Sequence, residues 1–146
     1  MSKPRIAVLN GPNLADLAAR ETEHYGDLSY EDLVGYCVER GRELDLDVHC
    51  RQTDGEGELV RMIHEAAGDC EGIVLNAAAY THTSVAVRDA LLSVRVPVVE
   101  VHLSNPAARE EFRRRNLIAD VVAATVAGFG LPGYGMALSG LKALIA

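Results

Sequence analysis

Glu100 and His102 form the pair of residues best suited to acid–base chemistry in this chain. They lie two positions apart at the end of an apolar run, residues 96–101, that is typical of a buried strand. Both side chains should therefore point to the same face. A carboxylate beside an imidazole fixes the tautomer of the ring and favours its protonated form, which suits a proton donor near neutral pH. A histidine alone would be interpreted as structural, whereas the glutamate beside it and its place at a strand end make a general acid an equally good interpretation.

A second candidate pair, Arg20 and Tyr25, lies in the connection of residues 10–27, which is long for a link between a strand and a helix. Connections of this length are either functional loops or poorly ordered segments. An unperturbed tyrosine has a pKa of about 10 and is a poor base unless a cation stabilises its phenolate. Arginine could supply that charge, although any surface loop can contain these two residue types.

Polar residues also follow the first, third and fourth predicted strands. Asn13 closes the sequence NGPN after the first strand, and Asn76 ends the third strand, before residues 77–84 (AAAYTHTS). The hydroxyl residues of this segment are good helix caps, which is compatible with anion binding at a helix start. After the fourth strand, Leu103 and Ser104 offer backbone N–H groups and a hydroxyl that could hold a carboxylate.

The elements that must position these residues follow from hydrophobic periodicity. Short apolar runs rich in β-branched residues predict strands at residues 6–9, 48–52, 73–75, 96–101 and 121–126. Helical spacing predicts helices at residues 30–44 after a Ser29 cap, at 59–66, 84–92 and 107–114, and from Pro132 onwards.

This alternation predicts one α/β domain over residues 1–146. The expected architecture is a five-stranded parallel sheet of flavodoxin-like order 2-1-3-4-5, with helices on both faces. In such a sheet, ligands bind beyond the carboxyl ends of the strands, where the strand order reverses. All the polar segments described above fall at that edge, which predicts a single site there.

Composition limits the partners of the chain. The formal net charge of -7 disfavours nucleic acids and anionic membranes, so an anionic ligand must be captured locally. The basic run at residues 113–115 lies among acidic residues and is interpreted as a solvated helix face. No apolar run is long enough to span a bilayer or to form a signal-peptide core, which predicts a cytoplasmic protein.

No metal or organic cofactor is expected. The three cysteines are odd in number, lack metal-ligand spacing, and are interpreted as reduced packing residues. Residues 128–133 match G-x-G-x-x-G, but too few residues follow for a dinucleotide-binding unit. The only lysines, Lys3 and Lys142, lie near the two ends of the sequence, which disfavours a Schiff-base mechanism.

Together the motifs resemble the type II 3-dehydroquinate dehydratases along the whole chain. They are NGPNL at 10–14, RE at 20–21 with YG at 25–26, residues 76–84 with RD at 88–89, EVHLSN at 100–105, REEFR at 109–113, and GFG at 128–130 with Tyr134. The resemblance implies elimination of water from 3-dehydroquinate through an enolate to give 3-dehydroshikimate, a reaction of the shikimate pathway. It also implies a flavodoxin-like subunit assembled into a dodecamer built from trimers, with no need for a cofactor.

The resemblance further implies a role for each matching residue. Tyr25 would remove the C2 proton while Arg20 stabilises its phenolate. A water held near Asn13 would stabilise the enolate, and His102, oriented by Glu100, would protonate the departing C1 hydroxyl. The remaining residues would bind substrate, Asp89 by reaching the site of a neighbouring subunit: Asn76, His82, Asp89, Leu103, Ser104 and Arg113.

Departures from the family pattern lie mainly around Arg20. The sequence ADLAA at 15–19 and the Glu-Thr at 21–22 replace a loop that commonly contains Gly and Pro, and Asn-Leu at 116–117 stands where many members have Ser-Tyr. Two other functions remain open. One is dehydration of a related cyclic β-hydroxyketone such as aminodehydroquinate, and the other is a non-catalytic flavodoxin-like module that binds an anion. A role in aromatic amino-acid biosynthesis or in quinate breakdown is open as well.

Overall fold

The computed structural model describes residues 2–19 and 27–146, and within them five parallel strands form one sheet in the predicted order 2-1-3-4-5. The strands are β1 (Arg5–Asn10), β2 (Asp47–Gln52), β3 (Gly72–Asn76), β4 (Val98–His102) and β5 (Ala124–Ala127). Strand β1 pairs with both β2 and β3. The chain therefore runs from β1 to β2 on one side of β1 and then returns to place β3 on the opposite side of β1. This reversal creates the switch point where ligands bind in such folds.

Four α-helices lie in the described part of the chain: α1 (Tyr30–Glu43), α2 (Glu56–Asp69), α3 (Val85–Ser93) and α4 (Pro132–Ile145). Two of the predicted caps, Ser29 and Ser84, are confirmed. Ser29 and Asp32 form a capping box at the start of α1. Ser84 caps α3 because its hydroxyl accepts a hydrogen bond from the backbone N–H of Val87 at 2.9 Å.

The central strands divide the apolar core into two layers. Ile6 and Val8 pack with residues of α1 and α4, whereas the alternate residues Ala7 and Leu9 pack with residues of α2 and α3. Because both faces of the sheet are covered, the central strands β1, β3 and β4 are almost continuously apolar. Cys37 is buried in the first layer, and Cys50 and Cys70 are partly buried free thiols.

The helix predicted at residues 107–114 is wrong. Two short 3₁₀ turns, Pro106–Ala108 and Glu111–Arg114, take its place. Between them Arg109 has extended backbone angles (φ -106°, ψ -154°) that end the first turn. The Arg109 side chain points inward, with 8% of it exposed, and bonds to the hydroxyl of Ser104. A tertiary contact thus overrides the local helical pattern.

The fifth strand begins later than predicted. Ala119–Val121 forms a 3₁₀ turn, and the strand starts at Ala124 rather than at residue 121. Val121 and Val122 are nevertheless packed against the core, so their apolar character reflects burial rather than strand structure. Of the described helices, none is long and apolar enough to cross a membrane.

Candidate active site

A cavity of about 150 Å³ opens beyond the carboxyl ends of β1, β3 and β4. It lies at the switch point of the sheet, where the sequence predicts a site. The structure brings together most of the predicted residues there. Those that line the cavity are Asn13, Asn76, His82, His102, Leu103, Ser104 and Arg113.

The loops after β1 and β3 cross closely at the base of this cavity. The Gly11 N–H donates to the carbonyl of Asn76 at 2.8 Å, and a Cβ at Gly11 would lie 2.7 Å from the carbonyl oxygen of Ala77. Only glycine fits in that position. Next to the crossing, Asn13 and Ala78 have positive φ angles of 68° and 52°. Such backbone strain costs about 1–3 kcal/mol at each residue and is concentrated at functional sites.

The loop after β2 holds the backbone of Asn13 in place. The Asn13 N–H donates to Asp54 Oδ1 at 2.8 Å, and Gln52 Nε2 donates to the same oxygen at 3.0 Å. Gln52 also bonds to the carbonyl of Gly11 at 3.1 Å. The bonds from Asn13 and Gln52 hold the pKa of Asp54 below its usual value. Asn13 is therefore fixed at the edge of the cavity by an ionised neighbour.

Asn76 belongs to a buried network of polar side chains under the cavity. Its Nδ2 donates to the hydroxyl of Tyr134 at 2.9 Å, and that hydroxyl donates to Asn10 Oδ1 at 2.7 Å. The Asn76 Oδ1 accepts from the backbone N–H of Ala78 at 3.0 Å. Burial raises the pKa of Tyr134 well above its usual value, so it remains a neutral phenol. Sequence patterns assign Tyr134 no role beyond its match to a family motif, because its partners lie far away along the chain.

Glu100 and His102 are in direct contact, as their spacing on the strand predicts. His102 Nε2 lies 2.5 Å from Glu100 Oε2, and the glutamate is fully buried. Asn116 Nδ2 donates to the same carboxylate oxygen at 2.8 Å, and the Thr125 hydroxyl donates to Oε1 at 3.0 Å. Burial alone would raise the pKa of Glu100, but the bonds from His102, Asn116 and Thr125 outweigh it and leave the pKa below its usual value. Sequence reasoning missed Asn116 and Thr125.

The second cavity histidine, His82, is held by backbone rather than by a carboxylate. Its Nδ1 lies 2.7 Å from the carbonyl oxygen of Arg115 and donates to it. Nε2 is then the ring nitrogen available to a ligand. His82 lies in the 3₁₀ turn Ala78–His82 that follows β3, which brings it to the same opening as His102.

Two arginines give the opening a positive wall. Arg113 bonds to Glu110 Oε1 at 2.9 Å and stacks on the ring of Phe112, with its guanidinium carbon 4.9 Å from the ring centroid. Arg109 Nη1 donates to the Ser104 hydroxyl at 3.3 Å. The interpretation of residues 113–115 as a solvated helix face is wrong for Arg113, because it lines the cavity. Arg109, to which the sequence assigned no role, lines it as well.

One predicted site residue that the structure describes lies away from this cavity. Asp89 is exposed on α3 and does not line this cavity. Arg20 and Tyr25 lie outside the described residues. Among residues 2–19 and 27–146, no group of three or more His, Cys, Asp or Glu side chains could hold a metal ion.

The fold and the cavity define a flavodoxin-like acid–base enzyme, in which a buried carboxylate–imidazole pair opens into a cationic pocket. The chain belongs to the class II dehydroquinase family, since the family model "Dehydroquinase class II" matches residues 4–142. Fold and function class therefore agree with the resemblance drawn from the motifs.

Individual relatives span nearly the whole chain. The chain is 51% identical over 139 residues to a 3-dehydroquinate dehydratase of Salinispora tropica, covering 95% of this chain and 97% of the relative. It is 47% identical over 143 residues to 3-dehydroquinate dehydratase 2 of Pseudomonas putida, with 98% and 96% covered. The crystal structure of the type II dehydroquinase from Propionibacterium acnes superposes with a TM-score of 0.93 at 47% identity, over 97% of this chain and 98% of that one.

Proposed function

We propose that this chain eliminates water from 3-dehydroquinate to give 3-dehydroshikimate, a step of the shikimate pathway. The observation that carries the proposal is the contact between buried Glu100 and His102 at the mouth of a cationic cavity, in a chain of the class II dehydroquinase family. The names of relatives that are about half identical support 3-dehydroquinate as the substrate.

The first step is removal of a proton from C2 of the substrate. The C2–H bond breaks, its proton goes to the phenolate of Tyr25, and its electron pair moves to the ketone oxygen at C3 to form an enolate. Arg20 stabilises the phenolate electrostatically, and a water held by Asn13 donates to the enolate oxygen. Support for Tyr25 and Arg20 comes from their matching motif positions in the sequence.

The second step is loss of the hydroxyl at C1. The electron pair of the enolate re-forms the ketone and makes the C1–C2 double bond as the C1–O bond breaks. His102 gives its proton to the departing oxygen, which leaves as water. Glu100 stabilises the imidazolium before the transfer. Reprotonation of His102 and loss of a proton from Tyr25 then restore the enzyme, so the proposed cycle needs no metal or organic cofactor.

Substrate binding draws on the remaining residues of the cavity. The backbone N–H groups of Leu103 and Ser104, with the Ser104 hydroxyl, hold the substrate carboxylate. Asn76, His82 and Arg113 contact the ring hydroxyls. The arginines of the wall supply positive charge locally, which an anionic substrate needs because the chain as a whole carries a net charge of -7.

The proposal includes a cytoplasmic dodecamer built from trimers, in which Asp89 reaches the site of a neighbouring subunit. Apolar side chains beside Asp89 on α3 support a contact there, since Val85 and Leu92 are 58% and 61% exposed. Analytical ultracentrifugation should give about twelve times the 15.7 kDa mass of one chain. A monomer at working concentration would rule out this assembly.

The direct test is to add purified protein to 3-dehydroquinate and to follow the ultraviolet absorbance of the enone product. The wild type should produce enone, and Tyr25→Phe and His102→Ala should lose most of the activity. His64→Ala is the matched control, because His64 is exposed on α2 and away from the cavity. Absence of enone from the wild type would reject the function, and full activity in Tyr25→Phe would reject the proposed base.

The same assay separates the two alternatives. A higher kcat/KM for the amino analogue of dehydroquinate would assign the chain to that substrate instead. Binding of 3-dehydroquinate without turnover would indicate an anion-binding module. We expect neither result, because the relatives are named for 3-dehydroquinate and binding alone needs no acid–base pair.

A further inference from the structure

We infer that Asn116 is a positioning residue for the acid of this reaction: its side-chain amide keeps Glu100 ionised and so fixes a proton on Nε2 of His102. The inference rests on the proposed dehydration, in which His102 is the proton donor. Asn116 does not line the cavity and acts through the glutamate.

The orientation of the Asn116 amide follows from its own hydrogen bonds. Its Oδ1 accepts from the backbone N–H groups of Ile118 at 2.9 Å and Ala119 at 2.8 Å, so this atom must be the oxygen. The amide nitrogen therefore faces Glu100 Oε2, at 2.8 Å. An amide nitrogen can only donate, which requires an acceptor at that carboxylate oxygen.

The same oxygen of Glu100 also meets His102 Nε2, at 2.5 Å. The bond donated by the Asn116 amide stabilises the charge of the carboxylate and so favours the ionised form of Glu100. With Glu100 ionised, the hydrogen shared with the imidazole belongs on Nε2, and Nδ1 is the nitrogen presented to the ligand. The Thr125 hydroxyl completes the set at Oε1.

The backbone on either side of Asn116 is fixed by the other side of the cavity. The carbonyl of Arg115 accepts from His82 Nδ1 at 2.7 Å, and the Leu117 N–H donates to the carbonyl of Thr81 at 2.9 Å. Residues 115–117 therefore bond to His82 and Thr81 on one side of the cavity and to Glu100, the partner of His102, on the other. The position of the Asn116 amide is set relative to the cavity as a whole and not by its own turn alone.

Asn116→Asp separates a positioning role from a structural one. Aspartate has nearly the same size and can accept from Ile118 and Ala119 as the asparagine does, so the turn is retained. It replaces the amide donor facing Glu100 with a second carboxylate, which at neutral pH repels the charge of Glu100 instead of stabilising it. We expect kcat to fall about tenfold to a hundredfold at neutral pH, the size of effect expected for a lost bond to a charged group, while KM changes by less than about threefold.

The pH profile supplies a readout that a structural role would not change. At lower pH the introduced carboxyl gains a proton and can donate to Glu100 again. The ratio of variant to wild-type kcat should therefore rise as the pH falls. A ratio that stays constant, or a kcat equal to that of the wild type, would overturn the inference.

Two further variants keep the test decisive. Asn105→Asp adds the same charge to another turn-capping asparagine, whose Oδ1 accepts from Ala107 N–H at 3.2 Å, and should have a smaller effect. An equal loss there would overturn the inference, because it would reflect charge alone.

Thermal unfolding will show whether Asn116→Asp is folded. If it is not, Thr125→Val removes a donor from the other carboxylate oxygen of Glu100 and should lower kcat by about threefold to tenfold. An unchanged kcat in Thr125→Val would overturn the inference that bonds to Glu100 support the acid. Lack of enone from the wild type would reject the proposed function instead.

Discussion

The two histidines of the cavity are held in opposite ways. His102 bonds through Nε2 to the buried carboxylate of Glu100, whereas His82 bonds through Nδ1 to the backbone carbonyl of Arg115. A carboxylate stabilises the charge of an imidazolium, but a carbonyl orients the ring through its dipole alone. Two residues of the same type in one cavity are thus suited to different tasks, His102 to proton transfer and His82 to hydrogen bonding with a ligand.

The groups that bond to the two histidines also differ in how many other segments hold them. The partner of His102 is itself held from two other segments, by Asn116 and by Thr125 of β5. The partner of His82 is one backbone carbonyl on a surface segment. The environment of an acid must be fixed before the reaction, because a preorganised site has no reorganisation to make as charge develops. A group that only binds the ligand, as proposed for His82, can change its position slightly without loss of function.

Removal of the proposed acid, His102, should have the largest effect. In His102→Ala we expect kcat to fall about 10²- to 10⁴-fold, the usual contribution of a general acid, with a smaller change in KM. Steady-state kinetics on 3-dehydroquinate provide the measurement. If His82→Ala lost as much kcat as His102→Ala, the division of roles between the histidines would be wrong.

Neutralising the partner of the acid should have the next largest effect. Glu100→Gln keeps the size of the buried side chain but removes the charge that stabilises the imidazolium, so kcat should fall about tenfold to a hundredfold. The pH dependence of kcat should change as well, because the acid has lost its charged partner. A wild-type kcat and pH profile in this variant would contradict the proposed function of the pair.

Loss of the second histidine should affect mainly binding. In His82→Ala we expect KM to rise about tenfold while kcat stays within about threefold of the wild type, as expected for a contact that is equal in the ground and transition states. Both constants come from the same enone assay. A selective fall in kcat would instead place His82 in the chemical step.

The smallest effect concerns stability at acid pH. The pKa of Glu100 is below its usual value, so its ionised form stabilises the folded chain above the unfolded pKa of about 4.3. That contribution is lost as the pH falls through the lower folded pKa. Below about pH 4.3, urea unfolding should show a shallower pH slope for Glu100→Gln than for the wild type, with the wild-type slope kept in His82→Ala. Equal slopes in all three proteins would contradict the assignment.

Local sequence patterns predicted most of the fold. Apolar runs located all five strands, and Ser29 and Ser84 marked two helix starts, because these signals depend on neighbouring residues. The helix expected at residues 107–114 failed, since the inward turn of Arg109 toward Ser104 is a tertiary contact. The residues at the carboxyl ends of the strands were found because strand ends converge in any parallel sheet.

The supporting residues of the site could not be found in the same way. Asn116 and Thr125 contact Glu100 from 16 and 25 positions away, and no periodicity relates them. Asp89 was assigned through the resemblance alone, and it lies on α3 away from this cavity. Sequence patterns reveal side chains that one strand presents together, whereas the bonds that orient them depend on how distant segments meet.

The bonds of Tyr134 have a consequence for the order in which the site forms. Its hydroxyl joins Asn10, which is 124 positions earlier, to Asn76, which is 58 positions earlier. Contacts between such distant residues form late in folding, because long loops must close first. During synthesis, β1 and β3 leave the ribosome well before α4, so the base of the cavity stays incomplete until that last helix docks. The polar network under the cavity should therefore form only after α4 has docked on the sheet.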